Sequence, residues 1–572
     1  MKPRLIALAL LAFTALNASA AKPAYITALA DAYMAAYYER FPEAATMAGL
    51  ADARHDRVTD NSPAALARWQ SVQDAFLTLI AEVDPKSLWG TPEWITYGFL
   101  RETLEASRGT RVCRSELWPV NQMSGWQVSI ANLANTQPVT NDEQRRAAIA
   151  RFSAFPRTLE NEIANLREGL RLGYSTPRRN VGLVIEQLDK LLATPVAESP
   201  FFSPAKRASD AAFTTQWTAL VTGTIYPAIT KYRDFLRDEY HPKARLSIAV
   251  KDHPNGVDCY RAAYRAYSTL QREPQEVFDL GMRAVKANEG RMRALGKELF
   301  GTDDLAAIKK RIQEDPENKF ATRDEVRKFA EESVARAKAK VPEWFGLVPK
   351  ADVVIQPIPE YREKTASDSY QRASDDGSRP GTYHIKLYQP EQQQRGVVER
   401  TAFHETYPGH HLQIAIAQER TAVHPITRFV GNSGFSEGWA RYTEALSEEM
   451  KLYATKHGRV GRLGWPARGM VIDPGLHVLG WTREQAIAFA RESGTMTEEN
   501  ASSLVDRVAV WPAQLTAYDS GGLEITALRE QAEKALGKKF DIRKFHDAVL
   551  GDGSVTLPML RTKIERWIEA QR

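Results

Sequence analysis

Apolar residues recur at three- and four-residue spacing through most of this chain, with charged residues between them. That period marks one face of an α-helix. It is clearest over residues 25–41, 63–83, 142–172, 213–239, 274–299, 323–340 and 482–491. Ser62 before Pro63 and Thr482 before Glu484 are residue types that start helices. Strand signals are few. The best is the alternating run GTYHIKLY at 381–388, closed by Pro390, with Val353-Val354-Ile355 as a partner. Residues 361–380 are polar and rich in Gly, Ser and Asp, which predicts a loop. No repeat, low-complexity linker or compositional break divides the chain. These patterns predict a mainly α fold: one large helical body over 21–572, with two lobes around a cleft and a small β-sheet.

The N-terminus reads as a secretory leader. Lys2 and Arg4 precede a short apolar run and then Ala18-Ser19-Ala20, so cleavage is expected after Ala20. The run is too short for a comfortable membrane span. No cysteine lies near the junction, so no lipid anchor is expected, and the mature chain is placed in the periplasm or outside the cell. In that oxidising setting Cys113 and Cys259 could pair. Lys and Arg are interleaved with Asp and Glu, and the net charge is only +5. With no basic block, neither a nucleic-acid nor a membrane partner is expected.

The chemistry concentrates in FHETYPGHHLQ, residues 403–413. His404-Glu405 opens like a zinc-peptidase helix. There, histidines at i and i+4 bind the metal and the glutamate at i+1 activates water. Here Pro408 occupies the second histidine's place, and His410 and His411 follow late. On a regular helix His410 would lie about 120° around from His404, and His411 about 10 Å further along the axis. Neither fits metal–nitrogen bonds of about 2.0–2.1 Å. Pro408 lacks an N–H, and its ring would clash with the His404 carbonyl, so the helix must break there. Gly409 then relaxes the backbone. A turn absorbing two extra residues makes His410 the ligand; one absorbing three makes it His411. We favour His410 and expect His411 to line the pocket or support the ligands.

A second element, SEGWARYTE at 436–444, supplies a third ligand. Gly434-Phe435-Ser436 reads as a loop and cap, so Glu437 opens a helix and can complete a two-His, one-Glu zinc site. Glu405 is then the general base for hydrolysis of a peptide substrate. Tyr518 and His477 are candidate donors to the oxyanion, with Asp473 placed to orient His477. Tyr383, on the 381–388 strand, could help an extended substrate add to a sheet edge. Arg529 or Arg468 could clamp a substrate carboxylate.

HETYPGHHLQ followed by EGWARYTE resembles the bacterial family called domain of unknown function 885, regarded as zinc-peptidase-like. Further blocks share the likeness: 255–260, 473–477 with Trp481, and 511–518 with Gly521 and Leu528-Arg529. It spans essentially the whole mature chain. The resemblance implies a mostly helical, deep-cleft fold akin to the glutamate-zinc peptidases, and little about substrate. Three readings follow: an exported zinc peptidase of carboxypeptidase or dipeptidase type, an inactive binding homologue, or a hydrolase of a non-peptide amide or ester. Intact Glu405 favours an enzyme, since binding zinc does not require that residue. No Gly-x-Ser-x-Gly elbow or P-loop competes.

Overall fold

A computed structural model describes residues 22–364 and 366–572. The leader expected at 1–20 lies outside the described residues. The chain is mainly α, with one three-stranded sheet among the described residues. The single body expected over 21–572 divides into two compact units. One runs to Ile248 and takes in Asp252–Gly256 and Ser374–Ser378; the other holds Ala249–Lys251, Val257–Ala373 and Arg379–Arg572. No cysteine is free among the described residues.

Among the described residues, the regular elements of the first unit are all helices. Its longest helix, Asp142–Leu172, has the bounds its periodicity predicts. Asn141 caps it by accepting from the Gln144 N–H, and Gly173 closes it at φ 83°. Its buried stripe of Phe152, Phe155, Leu159, Ile163 and Leu166 packs in one core with Trp217, Ile225, Ile229 and Tyr232. The region expected as one helix over 213–239 is helical but interrupted. It carries π-turns at Val221–Ile225 and Leu236–Tyr240. Each ends one residue before a Tyr-Pro or His-Pro pair, Tyr226-Pro227 and His241-Pro242. A proline has no N–H to give and crowds the carbonyl four residues back, and widening the preceding turn relieves both problems.

The second unit holds the sheet and every residue of the metal motif. Strands β1 (Val353–Pro357), β2 (Ser369–Gln371) and β3 (Gly381–Ile385) lie in the order β1-β3-β2. β3 is central, parallel to β1 and antiparallel to β2, with Tyr383 level with both Ile355 and Tyr370. The expected pairing of 353–355 with 381–388 is present. Two readings are corrected. The stretch 361–380 is not all loop, because it contains β2, three residues that are too short to show a period. β3 has a neighbour on each side, so it offers no edge to a substrate.

Four helices of this unit build the site, α1 (Arg395–Glu405), α2 (His410–Glu419), α3 (Ser433–Glu449) and α5 (Thr516–Leu536), and α4 (Gly469–His477) packs against α5. The crossing of α3 and α5 fixes its centre. A Cβ on Gly521 would fall 1.9 Å from the Gly434 carbonyl oxygen and 2.7 Å from the Gly438 Cα. One on Gly438 would fall 2.5 Å from the Gly521 Cα. The two backbones touch, so only glycine fits. We therefore expect Gly521→Ala to cost about 3 kcal/mol or more, since overpacking here meets backbone on both sides. Gly290→Ala is the control. Its Cβ would have open space within helix Pro274–Phe300, and it should gain up to about 1 kcal/mol. Urea midpoints read both, and equal effects would contradict the close crossing.

Candidate metal centre

Helix α1 ends where the proline requires. The Thr406 N–H still bonds to the Ala402 carbonyl, but the Gly409 N–H folds back to that of Phe403 (3.0 Å each). The Tyr407–Pro408 bond is cis. A Cβ on Gly409 would lie 2.0 Å from the His404 carbonyl oxygen, so the return of the chain over the α1 terminus depends on glycine. From α3, Trp439 donates its Nε1–H to the Pro408 carbonyl at 3.0 Å and braces the turn. His410 then begins α2 with its imidazole against that of His404, centroids 4.7 Å apart and rings nearly perpendicular.

Glu437 faces both. Its Oε2 is 3.2 Å from His410 Nε2 and 3.5 Å from His404 Nε2. Donor atoms of all three residues lie within 4.8 Å of one another. Helix α3 starts four residues before Glu437, capped by Asn432, so Glu437 sits one turn inside the helix instead of opening it. Despite its neighbours, the buried Oε2 makes no hydrogen bond. A buried carboxylate oxygen normally finds a donor. A tetrahedral zinc site with bonds of about 2.05 Å has donor-to-donor edges of about 3.3 Å, and the two separations at Glu437 bracket that value. Burial opposes the Glu437 charge, and in the absence of a metal the two imidazoles in their protonated form hold its pKa well below the usual carboxylate range. Deprotonated carboxylate and imidazole nitrogen are the donor types zinc takes.

The outer atoms of the histidines are also engaged. His404 Nδ1 donates to Glu444 Oε1 at 2.9 Å, and His410 Nδ1 meets Ser436 Oγ at 3.3 Å. Glu444 is pulled down to about 2, against its own burial, by Arg441 first, then His404 and Arg400. Arg441 bonds Glu444 at 2.6 Å and lies 3.1 Å from Asp519 on α5. A carboxylate behind a histidine ligand fixes its tautomer and aim. Glu437 and Glu444 are seven residues apart, two turns on one face of α3, and that spacing could have revealed Glu444 from sequence.

Glu405 is buried beside this group without joining it. Burial raises its pKa, with Glu437 adding to the rise and His404 and His410 opposing it. The backbone of Tyr370 on β2 supports the carboxylate. The ring of Tyr518 stacks on His404, centroids 6.0 Å apart and 21° from parallel. Its hydroxyl accepts from Arg507 Nη2 at 3.1 Å. Arg507 carries no motif signal, and sequence reasoning missed it.

Other expected site residues lie elsewhere. His411 is fully buried: Nδ1 accepts from the Tyr370 hydroxyl at 3.0 Å, and Nε2 reaches the Ala351 carbonyl and the Tyr407 hydroxyl. Burial pushes it down to about 4. It therefore supports the turn as a neutral ring and does not line a pocket. Tyr383 is 1% exposed and donates to Asp368 at 3.1 Å, so it presents no surface to a substrate. His477 is fully buried, its Nε2 on the Val508 carbonyl and its Nδ1 accepting from the Val250 N–H. With both nitrogens committed to backbone, it is a packing residue and not an oxyanion donor. Asp473 spends Oδ1 on Tyr260 and the Ala513 N–H. Arg529 is clamped by Glu449 and Glu533, and Arg468 by the Gly464 and Phe489 carbonyls and Glu289. Neither is available as a carboxylate clamp.

The sequence matches the DUF885 family, described as bacterial protein of unknown function, over residues 42–564. The chain belongs to this family. Two solved structures share the DUF885 chain's fold. A predicted lipoprotein from Colwellia psychrerythraea has a TM-score of 0.87 at 22% identity, covering 95% of this chain and 99% of its own. A predicted lipoprotein of unknown function from Shewanella oneidensis gives 0.72 at 20%, covering 94% and 99%. No curated protein matches. Among the described residues no helix is long and apolar enough to cross a membrane.

A second His-carboxylate group in this DUF885 chain, Asp315, Glu317 and His457, is neutralised by Arg311 and Lys456 and reads as an ion-pair network. If the first group holds zinc, Glu444→Gln should weaken its affinity about 10–100-fold. Competition with a chromogenic chelator measures it, and unchanged affinity would remove Glu444 from the orienting role.

Proposed function

We propose that this chain is an exported zinc-dependent peptidase, with His404, His410 and Glu437 holding the metal. The observation that carries the reading is the orphaned Glu437 Oε2 between two imidazoles, next to a buried glutamate outside the ligand set. Bound there, zinc supplies Lewis acidity for hydrolysis of a carbonyl bond. Glu405 takes a proton from the attacking water on its carboxylate and returns it to the departing amine. Tyr518, stacked on His404 and bonded to Arg507, presents its hydroxyl to the developing oxyanion. Glu444 and Ser436 hold the two imidazoles in register. The backbone beside Glu405 belongs to β2, at the sheet's outer edge, so an extended peptide would pair with β2 and not with β3.

Export to the periplasm or the medium is part of the proposal. The leader pattern at 1–20 supports it, as do the two structural neighbours described as lipoproteins. The test is mass spectrometry of a peptide library incubated with purified protein, alongside metal analysis. We expect one zinc per chain and cleavage that a chelator stops and zinc restores. A protein that carries zinc and cleaves no peptide would overturn the peptidase reading.

A further inference from the structure

Around the candidate metal centre, Arg400, Arg441 and Arg529 are each paired with carboxylates, and among the described residues Arg507 is not. Arg441 pairs with Glu444 and Asp519, and Arg529 with Glu449 and Glu533. Arg507, in the last turn of helix Glu498–Val508, has no carboxylate within ion-pair distance among the described residues. Glu437 and Asp473 act on it only from further away. Both of its hydrogen bonds use Nη2, to Gln514 Oε1 at 2.7 Å and to the Tyr518 hydroxyl at 3.1 Å. Its Nη1 and Nε donors have no protein partner among the described residues, and neither is an unsatisfied buried atom. Arg507, Gln514 and Tyr518 each keep part of their surface open, while Val508, Ala513, Ala517 and Asp519 around them are buried. The guanidinium also lies over the Trp511 ring at 5.5 Å, so the result is a small open wall of an amide, a phenol and a guanidinium that is held in place but keeps its Nη1 and Nε donors unspent.

The wall is close to the ligands. The His404 and Tyr518 rings are 6.0 Å apart, and the guanidinium carbon is 5.9 Å from the Tyr518 ring. Together these bound the separation of the His404 ring from the guanidinium, and at about 3.5 Å per residue no more than about three residues of an extended chain fit between them. A guanidinium with free donors is suited to a carboxylate. We propose that Arg507 binds the free C-terminal carboxylate of the substrate, which makes the site selective for bonds within about three residues of a C-terminus. This rests on the peptidase reading for its substrate class, but its test does not need turnover.

The test uses the zinc-loaded full chain carrying Glu405→Gln, so that no ligand is consumed. Acetyl-Ala-Ala-Ala and acetyl-Ala-Ala-Phe are titrated by calorimetry as free acids and as C-terminal amides. A hydrogen bond to a charged group contributes about 1.5–3 kcal/mol, so the acids should bind roughly 10- to 100-fold more tightly. Adding Arg507→Met should collapse that ratio towards one. Circular dichroism and zinc content of the double variant show that fold and metal are intact. If the variant misfolds, Arg507→Lys, which keeps the charge and loses the planar fork, should narrow the ratio in part. Equal binding of acid and amide, no measurable binding of the acids, or a preference that survives Arg507→Met overturns the proposal. In the last case the metal itself would be reading the carboxylate. An acid preference that depends on Arg507, in a protein that cleaves no peptide, would instead sink the peptidase reading and leave the carboxylate site standing.

Discussion

Glu405→Gln should lower kcat for peptide hydrolysis by about 10²–10⁴-fold while leaving zinc in place. Glutamine keeps the shape of the side chain and its capacity to accept from the Tyr370 backbone, but it cannot take a proton from water. The ligand cluster does not include Glu405, so metal content should match the wild type. Burial that disfavours its charge is the kind of environment that tunes a carboxyl group for proton transfer. Steady-state kinetics on the best library peptide, with zinc measured by mass spectrometry on the same sample, separate the two readouts. Undiminished turnover would take the general-base role from Glu405. A loss of zinc together with activity would make it a structural residue.

Glu437→Ala should weaken zinc binding by more than the 10–100-fold expected for an outer partner such as Glu444. The truncation removes one of three protein donors and leaves His404 and His410 side by side without the carboxylate between them. Melting temperature gives an independent measure. A ligand at about 100 times its Kd stabilises the native state by about 2.7 kcal/mol, so chelation should lower the wild-type melting temperature. The variant should melt at one temperature with or without chelator. Stoichiometric zinc in Glu437→Ala would refute the third ligand.

Much of the fold was legible because local signals agreed with one another. Helix Asp142–Leu172 has a cap, an apolar stripe and a terminal glycine that all mark the same bounds. The region 213–239 was legible as helix but not as interrupted, since the effect of Pro227 and Pro242 depends on how the preceding turn relaxes. At the site, Pro408 and Gly409 announced a break, but the number of residues it absorbs, and with it the choice between His410 and His411, was not legible in the sequence. What stayed hidden depended on tertiary neighbours. Nothing local makes Tyr383 central in its sheet, or spends His477 on two backbone groups. Arg507 and Arg529 look alike in sequence, and only their surroundings give one a carboxylate and the other neutral partners.

The glycine contact between α3 and α5 has a consequence for motion. Where two helices meet backbone to backbone, sliding or tilting has no side chain to absorb it. Glu437 on α3 and Tyr518 on α5 should therefore keep one spacing, and the proposed peptidase would have to admit its substrate through motion of other parts of the unit. Amide hydrogen exchange should find the α3–α5 crossing among the slowest segments of the chain, with faster exchange along the exposed side of β2.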